Sequence, residues 1–170
     1  MKQKIYISTV PSPVWILNLW ATDGWLCMLE FEYGKNAKKK IQEFRKYLDI
    51  DVIEKSNPIL EQTKKQLSEY FAWKRKIFDI PLLTYGTDLQ KKTWRILQTI
   101  PYGETRSYKE QAIKVRDAKV VRAVANANGK NRIGIIIPCH RVIGSDGSLT
   151  WFGGGMKAKQ WLLEHEGSFK

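Results

Sequence analysis

The sequence changes its residue pattern around Gly86, within the stretch LLTYGTD, and this change limits the folds open to the chain. Before it, runs rich in β-branched and aromatic residues are separated by prolines and by the turn Thr22-Asp23-Gly24, which is typical of short strands. After it, helical apolar spacing and helix-capping residues dominate. We therefore expect an α+β protein of two domains, 1–84 with a small antiparallel sheet and helices, and 85–170 mainly helical.

The first half is predicted to contain short strands followed by two helices. Apolar spacing predicts a helix over 38–48, whose run Lys38-Lys39-Lys40 is a solvated flank. Asn57-Pro58 supplies an N-cap and a first helical position for the next helix. Strands are predicted at 4–9, 14–21 and 25–31, with a weak one near 78–83.

The second half contains a pair of helices that resembles a helix-turn-helix. Before this pair, Thr87 or Asp88 can cap the start of another helix. Ser107 and Glu110 form a capping box that begins a short helix with Tyr108 at its first position. Asp117 caps a second helix over 118–128, whose thin basic face suits a nucleic-acid groove, although a generic helical hairpin shares the pattern. The candidate DNA-contacting residues around it are Arg116, Lys119, Arg122, Ala123 and Asn126.

Positive charge is concentrated in this same region. The formal net charge is +12, and the stretch 106–132 holds eight Lys/Arg against two Asp/Glu. Clustering of this kind favours a polyanionic partner over a merely solvated face. No apolar run is long enough to span a membrane, the first residues lack the apolar core of a secretory signal, and two cysteines are too few for a disulfide framework. A cytoplasmic protein is expected, or a nuclear one in a eukaryote.

Cys139 is the candidate nucleophile, and its neighbours leave its role open. It follows the apolar run 133–137, predicted to be a buried extended segment. A free thiol needs a base or a positive field to react at neutral pH, and His140 is adjacent. Glu166, in the last turn of a predicted helix, opposes the helix dipole and therefore indicates a partner. That partner is either His140, in a Glu–His–Cys relay, or a lysine. The ligand spacing indicates no metal site, and no cofactor is expected.

Four ordered blocks connect the chain to a known family. They are IPYGETRSYKEQA (100–112), RAVANANGKN (122–131), IPCHRVIGSDG (137–147) and GGGMKAKQWLLEHEG (153–167). Through these blocks the chain resembles the O6-alkylguanine-DNA alkyltransferases, with a looser match over its first half. The resemblance implies a ribonuclease-H-like N-terminal domain and a C-terminal domain with a winged-helix-like helix-turn-helix. The chain departs from the family pattern at Val115-Arg116-Asp117, Ala125, Arg132 and Gly155-Met156.

The resemblance also implies roles for single residues. Cys139 would accept the alkyl group, with His140 as a base acting through a water and Glu166 orienting that histidine. Asn131 would brace the turn, and Tyr108 would donate a proton toward the departing guanine and press on the phosphate backbone. The remaining implied roles are Arg122 as the finger that replaces the flipped nucleotide, and Val142, Ser145, Trp94 and Phe152 as substrate-binding residues.

The function implied is direct repair of double-stranded DNA that contains alkylated guanine. The chain would act as a monomer, bind the minor groove, flip the damaged nucleotide and accept one alkyl group irreversibly, with O4-alkylthymine as a further candidate substrate. Two other functions stay open: a non-reactive sensor of alkyl damage, and a thiol hydrolase that uses Cys139 and His140.

Overall fold

The computed structural model describes residues 2–32 and 49–169. The chain divides into two compact units, Met1–Leu83 and Thr84–Lys170. The helix predicted over 38–48, with its flank Lys38-Lys39-Lys40, lies outside the described residues. Along the described ranges, no helix combines the length and the apolar character needed to cross a membrane.

A four-stranded sheet forms the framework of the first unit. Its strands are β1 (Gln3–Val10), β2 (Leu17–Ala21), β3 (Leu26–Phe31) and β4 (Ile50–Ile53). The order is β3-β2-β1-β4, with β1, β2 and β3 antiparallel to one another and β4 parallel to β1. The prediction of three antiparallel strands is confirmed. Strand β4 was missed, because a parallel partner is set by distant pairing and leaves no local turn signal.

Helix α1 (Pro58–Phe71) begins where the sequence predicts. The Asn57 side-chain oxygen accepts the Leu60 backbone N–H at 2.9 Å, and its amide donates to the carbonyl of Thr22 at 2.9 Å. The cap therefore also ties the helix start to the turn between β2 and β3. The weak strand predicted near 78–83 is wrong, since only a single bridge between Leu82 and Leu26 forms there.

The second unit is mainly helical, as predicted. Its elements are α2 (Asp88–Leu97), β5 (Arg106–Ser107), α3 (Tyr108–Val115), a 3₁₀ turn (Ala118–Val120), α4 (Val121–Gly129), a 3₁₀ turn (Cys139–Arg141), β6 (Val142–Ile143) and α5 (Met156–His165). Strands β5 and β6 pair in parallel. This pairing joins the start of α3 to the segment that follows Cys139.

Capping side chains set the helix starts in this unit. Thr87 and Gln90 form a capping box on α2, and Ser107 and Glu110 form the predicted one on α3. Asp117 caps the 3₁₀ turn, and α4 starts only at Val121 and includes Gly129. The cap at Asp117 is as predicted, but the single helix predicted over 118–128 is divided into a 3₁₀ turn and α4, and it ends one residue later.

Polar contacts fix α4 against its neighbours. Gln111 on α3 and Asn128 on α4 exchange two amide hydrogen bonds, of 2.8 and 2.7 Å, and both side chains are buried. The Trp94 indole of α2 donates to the carbonyl of Ala127 on α4 at 2.8 Å. Because hydrogen bonds are directional, they fix the alignment of the helices more strictly than apolar contact alone.

Candidate functional site

The segment before Cys139 is buried but not extended. Ile133, Ile135 and Ile137 are almost fully buried, yet the Ile137 N–H donates to the carbonyl of Ile133 at 3.0 Å, which closes a turn. Ile135 has a φ of 66°, a conformation that is costly for a β-branched residue. The predicted extended segment is wrong, because burial of the isoleucines outweighs the extended preference of their backbone. The result is a tightly held turn in front of Cys139.

Asn131 connects this turn to the thiol. Its side-chain amide donates to the carbonyl of Ile137 at 2.8 Å and to Cys139 Sγ at 3.2 Å. Its side-chain oxygen accepts the backbone N–H of Ile133 at 3.0 Å. One asparagine thus holds both ends of the turn and contacts the sulfur, which is half-buried at the start of a 3₁₀ turn.

The two cysteines have different surroundings. Burial raises the pKa of the Cys139 thiol above its ordinary value, while the hydrogen bond from Asn131 and the positive charge of Lys159 oppose this rise. Burial raises the pKa of Cys27 to about 12, and its thiol donates to the carbonyl of Trp20 at 3.3 Å. Only Cys139 has neighbours that stabilise a thiolate, so it is the reactive candidate.

His140 is buried and paired with Glu166. Its Nε2 lies 2.9 Å from Glu166 Oε1, and burial lowers the pKa of the imidazole, with Glu166 opposing the effect. An ionised carboxylate only accepts hydrogen bonds, so Nε2 carries the proton and Nδ1 is an acceptor. Among the described residues, Nδ1 has no hydrogen-bond partner. A neutral imidazole with a fixed tautomer can therefore accept a proton at Nδ1.

Arg141 also contacts Glu166, and sequence reasoning missed it. Its guanidinium holds Glu166 through Nε to Oε2 at 2.8 Å and Nη2 to Oε1 at 2.9 Å, and Nη1 donates to the carbonyl of Ile100 at 2.6 Å. Burial raises the pKa of Glu166, but the contacts with His140 and Arg141 outweigh it, and the net pKa lies well below the usual range. Glu166 thus contacts His140, one of the two partners that the sequence left open, and also the guanidinium of Arg141, which the sequence analysis did not name. The signal was present in the sequence, since Arg141 directly follows His140.

Lys159 on α5 was also missed. Its side chain is fully buried, and its ammonium donates to the carbonyl of Val142 at 2.6 Å. Burial lowers the pKa of Lys159 to about 8, with the charge of Cys139 opposing the shift. Its position could have revealed it, because Lys159 precedes the buried Leu162 and Leu163 by three and four residues, which places a lysine on the apolar face of the helix.

Tyr108 and Phe152 flank this group. Tyr108 is the first residue of α3, and its hydroxyl accepts a 2.7 Å hydrogen bond from Thr150. The Tyr108 ring centroid lies 5.9 Å from the Lys159 ammonium. Phe152 is buried and meets the His140 ring edge-on, with centroids 6.5 Å apart. The structure therefore brings two of the predicted aromatic residues, Tyr108 and Phe152, to the residues around Cys139.

The other predicted substrate-binding residues differ in their environment. Val142 is buried, and its carbonyl already accepts from Lys159. Ser145 is exposed in the turn that follows β6. Trp94 is 3% exposed and donates to the backbone of Ala127. Its indole packs helix α2 onto α4 through this bond, and the role of Trp94 in substrate binding stays a prediction.

The predicted DNA-contacting residues are exposed along one part of the second unit. Lys119 lies in the 3₁₀ turn, and Arg122, Ala123 and Asn126 lie on α4, all of them exposed. Arg116 is exposed before the turn, with its guanidinium 3.7 Å from the Asp117 carboxylate. We refer to the exposed stripe of α4 that contains Arg122 and Asn126 as the α4 face.

Two family models cover almost the whole chain. The ribonuclease-like domain of 6-O-methylguanine DNA methyltransferase matches residues 5–84, and the DNA-binding domain of the same family matches residues 88–168. These matches agree with an α+β protein that has a sheet in the first unit and helices in the second. They also place the Cys139 group within the second of the two matched domains.

Individual relatives indicate the same family as the two family models. A methylated-DNA–protein-cysteine methyltransferase of Methanosarcina barkeri is 41% identical over 162 residues, covering 95% of this chain and 97% of its own length. The crystal structure of Mycobacterium tuberculosis O6-methylguanine methyltransferase superposes with a TM-score of 0.81 at 38% identity, covering 98% of this chain and 94% of its own. The same bacterium's OGT in complex with DNA gives 0.79 at 38% identity, covering 97% and 93%. The chain belongs to the 6-O-methylguanine DNA methyltransferase family.

Proposed function

We propose that this protein repairs DNA directly, by transferring the alkyl group of an O6-alkylguanine to its own Cys139. The observation that carries the proposal is the arrangement around the thiol in a member of this family. Asn131 contacts the sulfur, and His140 is held by a buried Glu166. The name of the Methanosarcina barkeri relative, a methylated-DNA–protein-cysteine methyltransferase, agrees with this chemistry.

The reaction begins with loss of the thiol proton. His140 Nδ1 accepts it through a bridging water, while Glu166 keeps the opposite nitrogen protonated and the ring oriented. The Lys159 ammonium and the Asn131 amide stabilise the thiolate. Sulfur then attacks the alkyl carbon, the new S–C bond forms and the C–O6 bond breaks, so the electron pair leaves with guanine.

Tyr108 is suited to assist the departing base. Its hydroxyl accepts from Thr150, so its own proton is available to a nitrogen of the guanine as negative charge develops there. The thioether left on Cys139 is a poor leaving group, and no step restores the thiol. Each chain therefore reacts once, as a stoichiometric reagent.

The α4 face provides the DNA contacts in this proposal. Basic residues bind the phosphates of the minor groove, and Arg122 enters the base stack in place of the flipped nucleotide. Turning the base out of the duplex costs a few kcal/mol. All these residues, and the acceptor group, lie within the unit Thr84–Lys170, which supports action as a monomer on double-stranded DNA. Repair of this kind requires access to the chromosome, so we expect the protein in the cytoplasm, or in the nucleus of a eukaryote.

Intact mass measurement tests the proposal directly. After incubation with excess duplex that contains one O6-methylguanine, the protein should gain a single methyl group, located on the peptide that carries Cys139. The methyl transferred per chain should reach one and stop, because the acceptor is consumed. Binding without any mass gain would instead indicate a damage sensor, and ester hydrolysis without DNA would indicate a thiol hydrolase.

The pH dependence of transfer should reveal the charge on Lys159. In Lys159→Met the Cys139 thiolate loses the positive charge that opposes the rise of its pKa, so the single-turnover rate at saturating duplex and neutral pH should fall about tenfold. The lysine loses its own charge above a pKa of about 8. The gap between wild type and variant should therefore narrow as pH rises past 8.

Lys157→Met is the matched control for this profile, because Lys157 is exposed on the same helix. Its rate should follow the wild type at every pH. Parallel profiles for Lys159→Met and wild type between pH 6 and about 9.5 would contradict the electrostatic role, and would indicate that Lys159 only supports the carbonyl of Val142.

A further inference from the structure

Trp151 is an exposed aromatic residue between Thr150 and Phe152, which contact two residues of the proposed active site. Its indole is 67% exposed. Thr150, before it, donates its hydroxyl to Tyr108. Phe152, after it, is buried with its ring edge against His140. Because both neighbours are held by residues of the proposed active site, the backbone of Trp151 is fixed at the rim of that site and its indole faces solvent.

The indole lies on the C-terminal end of the α4 face. A Cβ at Gly129 would lie 3.0 Å from Cζ3 of Trp151, so any larger residue at 129 would force the ring to shift. Residues 122, 126 and 129 are spaced by four and three, which places them on one stripe of a helix. The ring therefore continues the stripe on which Arg122 and Asn126 are exposed.

The surroundings of the ring indicate what kind of partner covers it. The stretch 106–132 holds eight Lys/Arg against two Asp/Glu, so a polyanion is favoured over an apolar protein surface. Basic side chains contact phosphates but offer little surface to sugars and bases. An aromatic ring within a basic surface adds that contact, and it does so without sequence preference because every base has an aromatic face.

We propose that Trp151 is a DNA-contacting residue whose indole packs against the sugar and base of a nucleotide next to the lesion, on the strand that carries the flipped guanine. The strand follows from the position of Trp151, since its neighbours Thr150 and Phe152 contact Tyr108 and His140 of the proposed active site. The proposal rests on the function proposed above, because it takes the α4 face as the DNA-binding face.

The test compares Trp151→Ala and Trp151→Phe with Trp25→Ala, a control indole that is 50% exposed in the other unit. In a Cys139→Ala background, Trp151→Ala should weaken binding of undamaged duplex roughly tenfold, as expected for the loss of one aromatic contact. The dependence of affinity on salt should stay unchanged, because no charge is removed. Trp151→Phe should keep most of the affinity, and Trp25→Ala all of it.

A second measurement separates DNA contact from a role in shaping the acceptor pocket. With Cys139 present, the transfer rate is measured on methylated duplex below saturation and on the free base O6-benzylguanine. The loss caused by Trp151→Ala should be at least about fivefold larger on the duplex than on the free base. Equal losses on both, or duplex affinity within about twofold of wild type, overturn the proposal. A wild-type chain that transfers from neither substrate refutes the proposed function, while the binding comparison still decides the DNA contact.

Discussion

Cys139→Ala is expected to lower alkyl transfer by roughly a thousandfold or more, because it removes the thiol proposed as the acceptor, and the other cysteine, Cys27, lies buried in the first unit. The variant should still bind duplex DNA, since the α4 face and its basic surroundings are untouched. The measurement is labelled-methyl transfer from duplex to protein, with binding followed separately by fluorescence anisotropy. Transfer that survives in the variant would contradict the assignment of the acceptor.

Cys27→Ala is the matched control, since this cysteine is buried in the other unit and its thiol donates a hydrogen bond to the carbonyl of Trp20. It should transfer at the wild-type rate.

The Cys139→Ala variant also permits DNA binding to be measured without reaction. If about six basic side chains neutralise phosphates, the logarithm of its affinity should fall with the logarithm of salt at a slope of about five. A flat response would contradict the electrostatic part of the DNA contact.

Glu166→Gln is expected to destabilise the fold and slow the reaction together. Glu166 is 5% exposed and binds both Arg141 and His140, so an amide in its place leaves a buried guanidinium without its counter-charge. The free energy of unfolding should fall by about 3 kcal/mol. Transfer should slow by about tenfold to a hundredfold, since an amide can donate as well as accept and no longer fixes the tautomer of the imidazole, and the protonated imidazole loses its counter-charge. Urea unfolding and single-turnover transfer measure the two effects.

The stability difference between wild type and Glu166→Gln should depend on pH. Glu166 has a folded-state pKa well below its usual range, so its stabilisation is fully present above the ordinary glutamate pKa of about 4.3 and is lost as pH falls through the lower folded value. The stability gap between wild type and Glu166→Gln should therefore be largest at neutral pH and shrink in acid. Glu164→Gln, an exposed change on the same helix, should alter stability by less than about 0.5 kcal/mol at any pH. A gap that stays constant into acid would contradict the buried ion pair.

Features set by nearby residues were predictable from the sequence. The caps at Asn57, Thr87 and Ser107 all form hydrogen bonds to the backbone three residues later, and the residues that supply such caps are few and specific. The antiparallel strands β1 to β3 were also found, because short turns join them. The resemblance carried by four sequence blocks gave the family, which the comparisons confirm.

Features set by distant contacts were not predictable in the same way. Strand β4 pairs with β1 across more than 40 residues, and no local signal marks it. The isoleucines 133–137 have the composition of a strand but form a turn, because their burial and the amide of Asn131 overrule local preference. Arg141 and Lys159 were overlooked since charged residues are expected at the surface, whereas here each is buried with an oxygen acceptor.

The two hydrogen bonds between the side-chain amides of Gln111 and Asn128 have a consequence for how DNA is bound. They join α3, which carries Tyr108, to α4, which carries Arg122, with two directional bonds in a buried setting. Such a pair resists rotation of one helix against the other, so in the proposed mode of binding α3 and α4 should enter the groove as one rigid unit. The distortion needed to expose a lesion then falls on the nucleic acid, through bending and unstacking of its base steps. Lesions flanked by easily unstacked pyrimidine–purine steps should accordingly be repaired faster than the same lesions within stiff A-tracts.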